Sequence, residues 1–243
     1  LNGDYNVASG YQALFSNTYG FENTAVGNSS MYYNTTGFGN TALGSTASFT
    51  TGNLENTTCI GYLSGGVSSA SNRVEIGNTS VSFIGGQVAF STYSDARIKT
   101  QVQENVPGLD FITRLRPVTY HLDIHRQNEL CFRGEKATGD WAGKYDIEQK
   151  QFTGFIAQEV EAAAKAVGYD FSGVEKAADE VGMYSVRYSD FVMPLVKGMQ
   201  EQQEEIGNLK LEIAAQKAEN AALKSQLEKI MAALSGAGIA VEK

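Results

Sequence analysis

Apolar residues in the first third of the chain are sparse and fall on a fixed beat, neither helical nor simply alternating. Gly10, Gly27, Gly44 and Gly61 stand 17 residues apart. Asn6, Asn23 and Asn40 share a second phase, and the small residues Ala8, Ala25, Ala42 and Cys59 a third. Ser9, Val26, Leu43 and Ile60 follow the small residues, and Gly3, Gly20 and Gly37 mark one more phase. Helical repeats need roughly 33 residues or more, so the unit predicts a parallel β-roll or β-solenoid with two short strands and two turns per coil. Glycine and asparagine are expected to supply left-handed backbone at the corners. The small residue and the aliphatic one after it are expected to fill a narrow interior. The competing reading, a disordered low-complexity tract, is not expected to hold one spacing over four copies.

Such a core is thin. One Val, Leu or Ile per coil contributes roughly 1.5–3 kcal/mol when buried, against about 1–2 kcal/mol per residue for ordering the backbone of 17 residues. Stacking alone does not close that gap, so the coils are expected to need further chains, with trimerisation burying a second face.

Beyond the repeats the period changes. Arg73-Val74-Glu75-Ile76-Gly77 alternates as a half-buried strand does. Val81-Ser82-Phe83-Ile84 and Gln87-Val88-Ala89-Phe90, separated by Gly85-Gly86, read as a small hairpin or an extension of the roll. Gly108 to Arg116 has Leu109, Ile112 and Leu115 on one helical face and stops at Pro117. Residues 118–122 read as a strand, 126–150 as a polar hairpin or excursion, and 154–167 as a second helix. From Leu195 a 4-3 alternation runs through Met199, Gln202, Ile206, Leu209, Ile213, Gln216, Asn220, Leu223, Leu227 and Ile230 to Leu234, as in a coiled coil. Gln202, Gln216 and Asn220 interrupt its seam as polar residues that fix register and strand number. The alternative is a helix packed on its own domain.

The fold class is therefore mixed: a trimeric parallel β-solenoid of 17-residue repeats, then an α+β domain ending in a trimeric coiled coil. The expected boundaries are 1–71 for the roll, 72–93 for a β junction, 94–194 for the α+β domain, 195–234 for the coiled coil and 235–243 for a frayed tail. The sequence opens inside a repeat at Leu1, which reads as a piece of a longer or processed chain.

Composition narrows the partners. A net charge of −8 argues against nucleic acid, which needs clustered Lys and Arg, and against an anionic membrane surface. No apolar run reaches the ~20 residues of a membrane span. Cys59 and Cys131 show no framework spacing and read as buried thiols or bystanders. His121 and His125 flank Asp123 without an evident third ligand, so no metal and no cofactor is expected. Tyr11, Tyr32 and Tyr33 offer rings to a cell-surface glycan or receptor.

Two resemblances add to this. Asn23-Thr24-Ala25-Val26-Gly27 and Asn40-Thr41-Ala42-Leu43-Gly44 resemble the head repeats of trimeric autotransporter adhesins, over about residues 1–65. That implies three left-handed β-rolls side by side, although the usual spacing there is shorter than 17. Downstream, four motifs occur in order: Ser94-Asp95-x-Arg97-x-Lys99, Leu115-Arg116-Pro117-Val118-x-Tyr120, Gly154-Phe155-Ile156-Ala157-Gln158-Glu159-Val160 and Tyr184-Ser185-Val186-Arg187-Tyr188. Together with the long terminal helix they resemble the C-terminal intramolecular chaperone domain of phage endosialidases and tail spikes, over about residues 91–234. Thr100 stands where that family often has Asn.

The second resemblance implies self-cleavage at Tyr93–Ser94, with Ser94 as nucleophile and Lys99 as general base, supported by Asp95, Arg97, Gln158 and Glu159. It implies a homotrimer on a phage tail or an extracellular surface. A serine hydroxyl needs a base, and lysine can be tuned to serve where arginine cannot. Residues five apart do not meet in a straight strand or helix, so a bend is required, or contact across chains. The alternative is a fibre or adhesin segment that does not cut itself.

Overall fold

Each repeat places one three-residue strand in register on the next. The strands are β1 (Val7–Ser9), β2 (Thr24–Val26), β3 (Thr41–Leu43), β4 (Thr58–Ile60) and β5 (Val74–Ile76), stacked in that order as one parallel sheet. The computed structural model describes residues 3–48, 53–66, 70–131, 141–177 and 182–236. Pairing follows the 17-residue beat, Ala8 on Ala25, Ala25 on Ala42 and Ala42 on Cys59. The last rung closes one residue early, with Cys59 on Glu75. The result is a β-solenoid of about four turns.

Two details differ from the sequence expectation. Among the described residues each coil has one strand, not two. The remaining backbone turns at residues held at positive φ, such as Tyr5, Glu22 and Asn56 in one phase and Gln12, Ser29, Thr46 and Leu63 in another. Its N–H groups still bond coil to coil, for example Leu14 to the Ser30 carbonyl and Met31 to that of Ala47, both at 3.0 Å. Most left-handed corners thus fall on ordinary side chains. Glycine is demanded where Gly44 has φ +139° and a β-carbon would lie 2.5 Å from the Gly61 carbonyl oxygen.

The aliphatic residue does not share the interior with the small one. Ala25, Ala42 and Cys59 are fully buried, whereas Val26, Leu43 and Ile60 are about 40% exposed (40%, 40% and 39%). Adjacent residues on a strand point to opposite faces, so filling the inside with one sends the other outside. Inside, Leu14, Met31 and Ala47 complete the core. An asparagine ladder runs beside it. Asn23 takes its backbone N–H to Asn6 Oδ1 (2.9 Å) and donates Nδ2 to the Gly37 carbonyl (2.8 Å). Asn40 repeats this, with N–H to Asn23 Oδ1 (3.0 Å) and Nδ2 to the Leu54 carbonyl (2.7 Å). Thr57 then takes both its N–H and its hydroxyl to Asn40 Oδ1. The ladder satisfies polar groups that a solenoid buries with so few apolar atoms.

Residues 81–93 hold no strand or hairpin, and every residue from 81 to 105 is exposed. A hairpin needs an apolar face to pack against, and the chain offers none here. The junction expected over 72–93 contributes β5 alone.

The α+β region has smaller elements: α1 (Leu109–Ile112), β6 (Val118–Tyr120), α2 (Ile124–Cys131), β7 (Phe152–Gly154), α3 (Ala157–Ala166), β8 (Val174–Glu175), β9 (Ser185–Val186) and α4 (Val192–Gly236). Phe111, Val160, Ala163, Ala164, Phe171 and Phe191 form its core. α2 occupies part of the stretch expected to be an irregular excursion, of which residues 132–140 lie outside the described residues. The helix expected from Gly154 starts at Ala157, because Phe152–Gly154 pairs antiparallel with β6. α1 packs on the start of α4, where Gly198 lets Ile112 approach and Glu201 Oε2 accepts the Leu109 N–H at 2.7 Å. α4 is one continuous helix of 45 residues, about 68 Å long. Of the tail expected to fray, 237–243 lie outside the described residues.

Candidate functional site

The bend that a five-residue spacing requires is a single 3₁₀ turn, Ala96–Ile98. Asp95 caps it, taking the Arg97 N–H at 2.8 Å and gripping the Arg97 guanidinium with both carboxylate oxygens. Those bonds hold the Asp95 carboxyl below its ordinary pKa. The turn brings the ends of the motif together, and Lys99 Nζ lies 2.7 Å from Ser94 Oγ. Ser94, Lys99 and Tyr93 are all exposed, Tyr93 at 94%. A base must be the neutral amine, and burial is what favours that form. One chain alone supplies no cover for it.

The other three motifs meet elsewhere. Arg116 pairs with Glu159 through two hydrogen bonds, the Nε one at 3.0 Å, which keep the Glu159 carboxyl below its usual range. The Phe155 N–H donates to Tyr188 Oη at 3.0 Å. Gly154 is glycine because a β-carbon would overlap that hydroxyl. Burial, then the neighbouring Tyr188, raises the Tyr120 pKa. Arg116, Tyr120, Phe155 and Tyr188, with Gln158, line an open groove of about 810 Å³. Ser94 and Lys99 are not among its lining residues. The Arg116–Glu159 pairing was not read from the sequence, because the two residues lie 43 positions apart.

His121, Asp123 and His125 gain a neighbour that the sequence did not offer, since Glu148 lies with Asp123 and His125 within 4.8 Å. Glu148 Oε1 accepts the Ile124 N–H (2.7 Å) and His125 Nδ1 (2.9 Å), and Asp123 Oδ1 accepts the Arg126 N–H (2.7 Å). Both carboxylates therefore serve the start of α2. Cys59 is buried, and burial, then Glu75, pushes its thiol far above the ordinary pKa. Tyr11 and Tyr33 are exposed and Tyr32 stacks on Phe15. Gln202, Gln216 and Asn220 lie on exposed α4. Among the described residues no helix is long and apolar enough to cross a membrane.

The molecule is thus a parallel β-solenoid joined, through an exposed linker carrying a serine–lysine contact, to an α+β region with a long bare helix. Residues 94–169 match the family model described as chaperone of endosialidase (Peptidase_S74). The chain therefore carries an endosialidase-type intramolecular chaperone domain, and the match supports a chaperone role in tail-spike-like proteins. It starts at Ser94 and ends before Tyr184-Ser185-Val186-Arg187-Tyr188 and α4. No curated protein and no solved structure matches the chain.

Proposed function

We propose that this chain is the C-terminal assembly region of a homotrimeric fibre or tail spike, on a virion or an extracellular surface. In this reading residues 94–194 and the coiled coil over 195–234 gather three chains and align the coils of residues 1–71. The observation that carries it is a run of apolar surface that one chain leaves uncovered. It begins with the ladder Val26, Leu43, Ile60 and Ile76, which is 39–50% exposed. It continues through Phe83, Val88 and Phe90, each above 80% exposed. It ends on the α4 seam, where Leu209, Ile213, Leu223 and Leu227 are about half exposed. Surface of this extent marks an interaction site, and copies of the same chain present it in matching order. The helical region folds on local contacts and joins first. Tethering then holds the repeats at an effective concentration of about millimolar, ahead of the slower non-local β assembly.

Ser94 and Lys99 then cut the chain at Tyr93–Ser94. Lys99, neutral once neighbouring chains bury it, takes the Ser94 hydroxyl proton. Ser94 Oγ adds to the Tyr93 carbonyl carbon, the C–N bond breaks, and the proton passes to the Ser94 nitrogen. Water hydrolyses the resulting ester, releasing the Tyr93 carboxylate and restoring the hydroxyl. The fibre is afterwards held by its unfolding barrier. The exposure of both residues in one chain also suits a second reading, a trimeric fibre or adhesin segment that never cuts.

Intact mass together with mass in solution tests both levels. A trimer, with fragments ending at Tyr93 and starting at Ser94 that disappear in Ser94→Ala, is the expected result. A trimer with only full-length chains would leave the non-cutting reading, and a folded monomer would overturn the proposal.

A further inference from the structure

The solenoid and the chaperone domain meet at a small polar seam. Arg73, just before β5, pairs with Glu175 of β8, whose other oxygen holds Arg187 Nη2 at 2.9 Å. The Thr79 hydroxyl donates to Asn128 Oδ1 of α2 (2.8 Å), and the Ser80 hydroxyl to the Lys144 carbonyl (2.8 Å). Tyr62 meets Trp141 edge to face, ring centres 5.5 Å apart. These solenoid contributors all lie between residues 62 and 80, in the last coil and just beyond its final rung. The chaperone contributors come from three separate places, β8, α2 and the segment around residues 141–144. The linker over 81–105 is exposed throughout, so the seam, not the linker, sets how the two parts meet.

We infer that this seam is a template seat, by which the chaperone domain holds the last solenoid rung of its own chain in place so that coils add to it from the C-terminal end. The inference rests on the assembly reading above and names the surface that performs it.

Three observations support it. Arg73 supplies the carbonyl that receives the Thr58 N–H at 2.8 Å, so the residue gripped by Glu175 is also the first to receive β4. Each further rung lies 16 or 17 residues upstream, so growth from a held end is a series of short loop closures instead of one long search. The hydrogen bonds that Arg73, Thr79 and Ser80 send across the seam all leave from side chains, and none of these bonds belongs to the sheet ladder. The seat thus positions the edge without becoming part of the sheet.

Refolding of the full chain tests the inference with Arg73→Ala and Arg73→Lys. The readouts are the yield of protease-resistant solenoid and the mass in solution. Arg73→Ala should cut the resistant yield several-fold while the mass remains trimeric. Arg73→Lys, which keeps the charge, should restore most of it. An unchanged yield in Arg73→Ala combined with Asn128→Leu would overturn the seat. Loss of the trimer in Arg73→Ala would overturn it too, because Arg73 would then act on chain association itself. A wild type that is a folded monomer overturns the assembly reading, and is recognised before any variant is compared.

Discussion

A hydroxyl 2.7 Å from an ammonium is the smallest unit on which the proposed processing turns, and it makes the role of Lys99 separable from its charge. Lys99→Arg keeps a donor next to Ser94 but cannot give up a proton near neutral pH. Cutting should therefore stop in Lys99→Arg as fully as in Ser94→Ala, with the trimer retained, which gels and solution mass would check. A Lys99→Arg trimer that still cuts would remove lysine as the base. In the solenoid, Gly44→Ala places a β-carbon against the Gly61 carbonyl at φ +139°. Strain and overpacking together should cost roughly 3 kcal/mol, seen as a lower unfolding midpoint. The glycine beat was legible in sequence because steric exclusion recurs with every coil. The left-handed angles at Tyr5, Glu22 and Leu63 were not, since residues of those types carry no such preference and only the closure of the coil imposes it.

Among the elements, α3 carries a pH-sensitive contact. Glu161 bonds Lys165 and also Lys176, and these bonds lower its pKa to about 2. A depressed carboxylate contributes stability above its unfolded pKa of about 4.3 and loses it as pH falls through the folded value. The chaperone domain should therefore lose stability as pH falls from about 4 towards 2. Glu161→Gln should flatten that dependence when followed by circular dichroism. α4 offers a different test. Ile213→Asp places a charge on the apolar seam, and the chain should sediment as a monomer with its helical region weakened. The long helix was readable because the 4-3 alternation extends over many turns. α2 was missed because its polar composition hides a start fixed by Glu148, 24 residues from Ile124. β7 was missed because three residues carry too little periodicity to read.

At the scale of the whole molecule, apolar surface runs from the solenoid ladder through the linker to α4, with one chain covering little of it. A chain ending at Tyr93 and made without residues 94–243 should accumulate as aggregate or unfolded protein, whereas the full chain should yield soluble trimer. A soluble, folded solenoid of residues 1–93 made alone would contradict the need for the tail. Val26, Leu43 and Ile60 turn outward, and the interior is filled by Leu14 and Met31 beside alanine, cysteine and asparagine. Each coil still has little apolar burial to set against the entropy of ordering it.

The sequence by itself determined whatever repeats or recurs over many residues: the 17-residue coil, the parallel stack, the long terminal helix and the motif set of the chaperone domain. Those features rest on local sterics and on periods that survive without knowledge of neighbours. Tertiary structure alone decided which face each strand residue takes, that residues 81–93 lie bare, and that Arg116 meets Glu159 and Arg73 meets Glu175. Pairs such as the last, 102 positions apart, are set by how elements pack, and no local pattern encodes that distance.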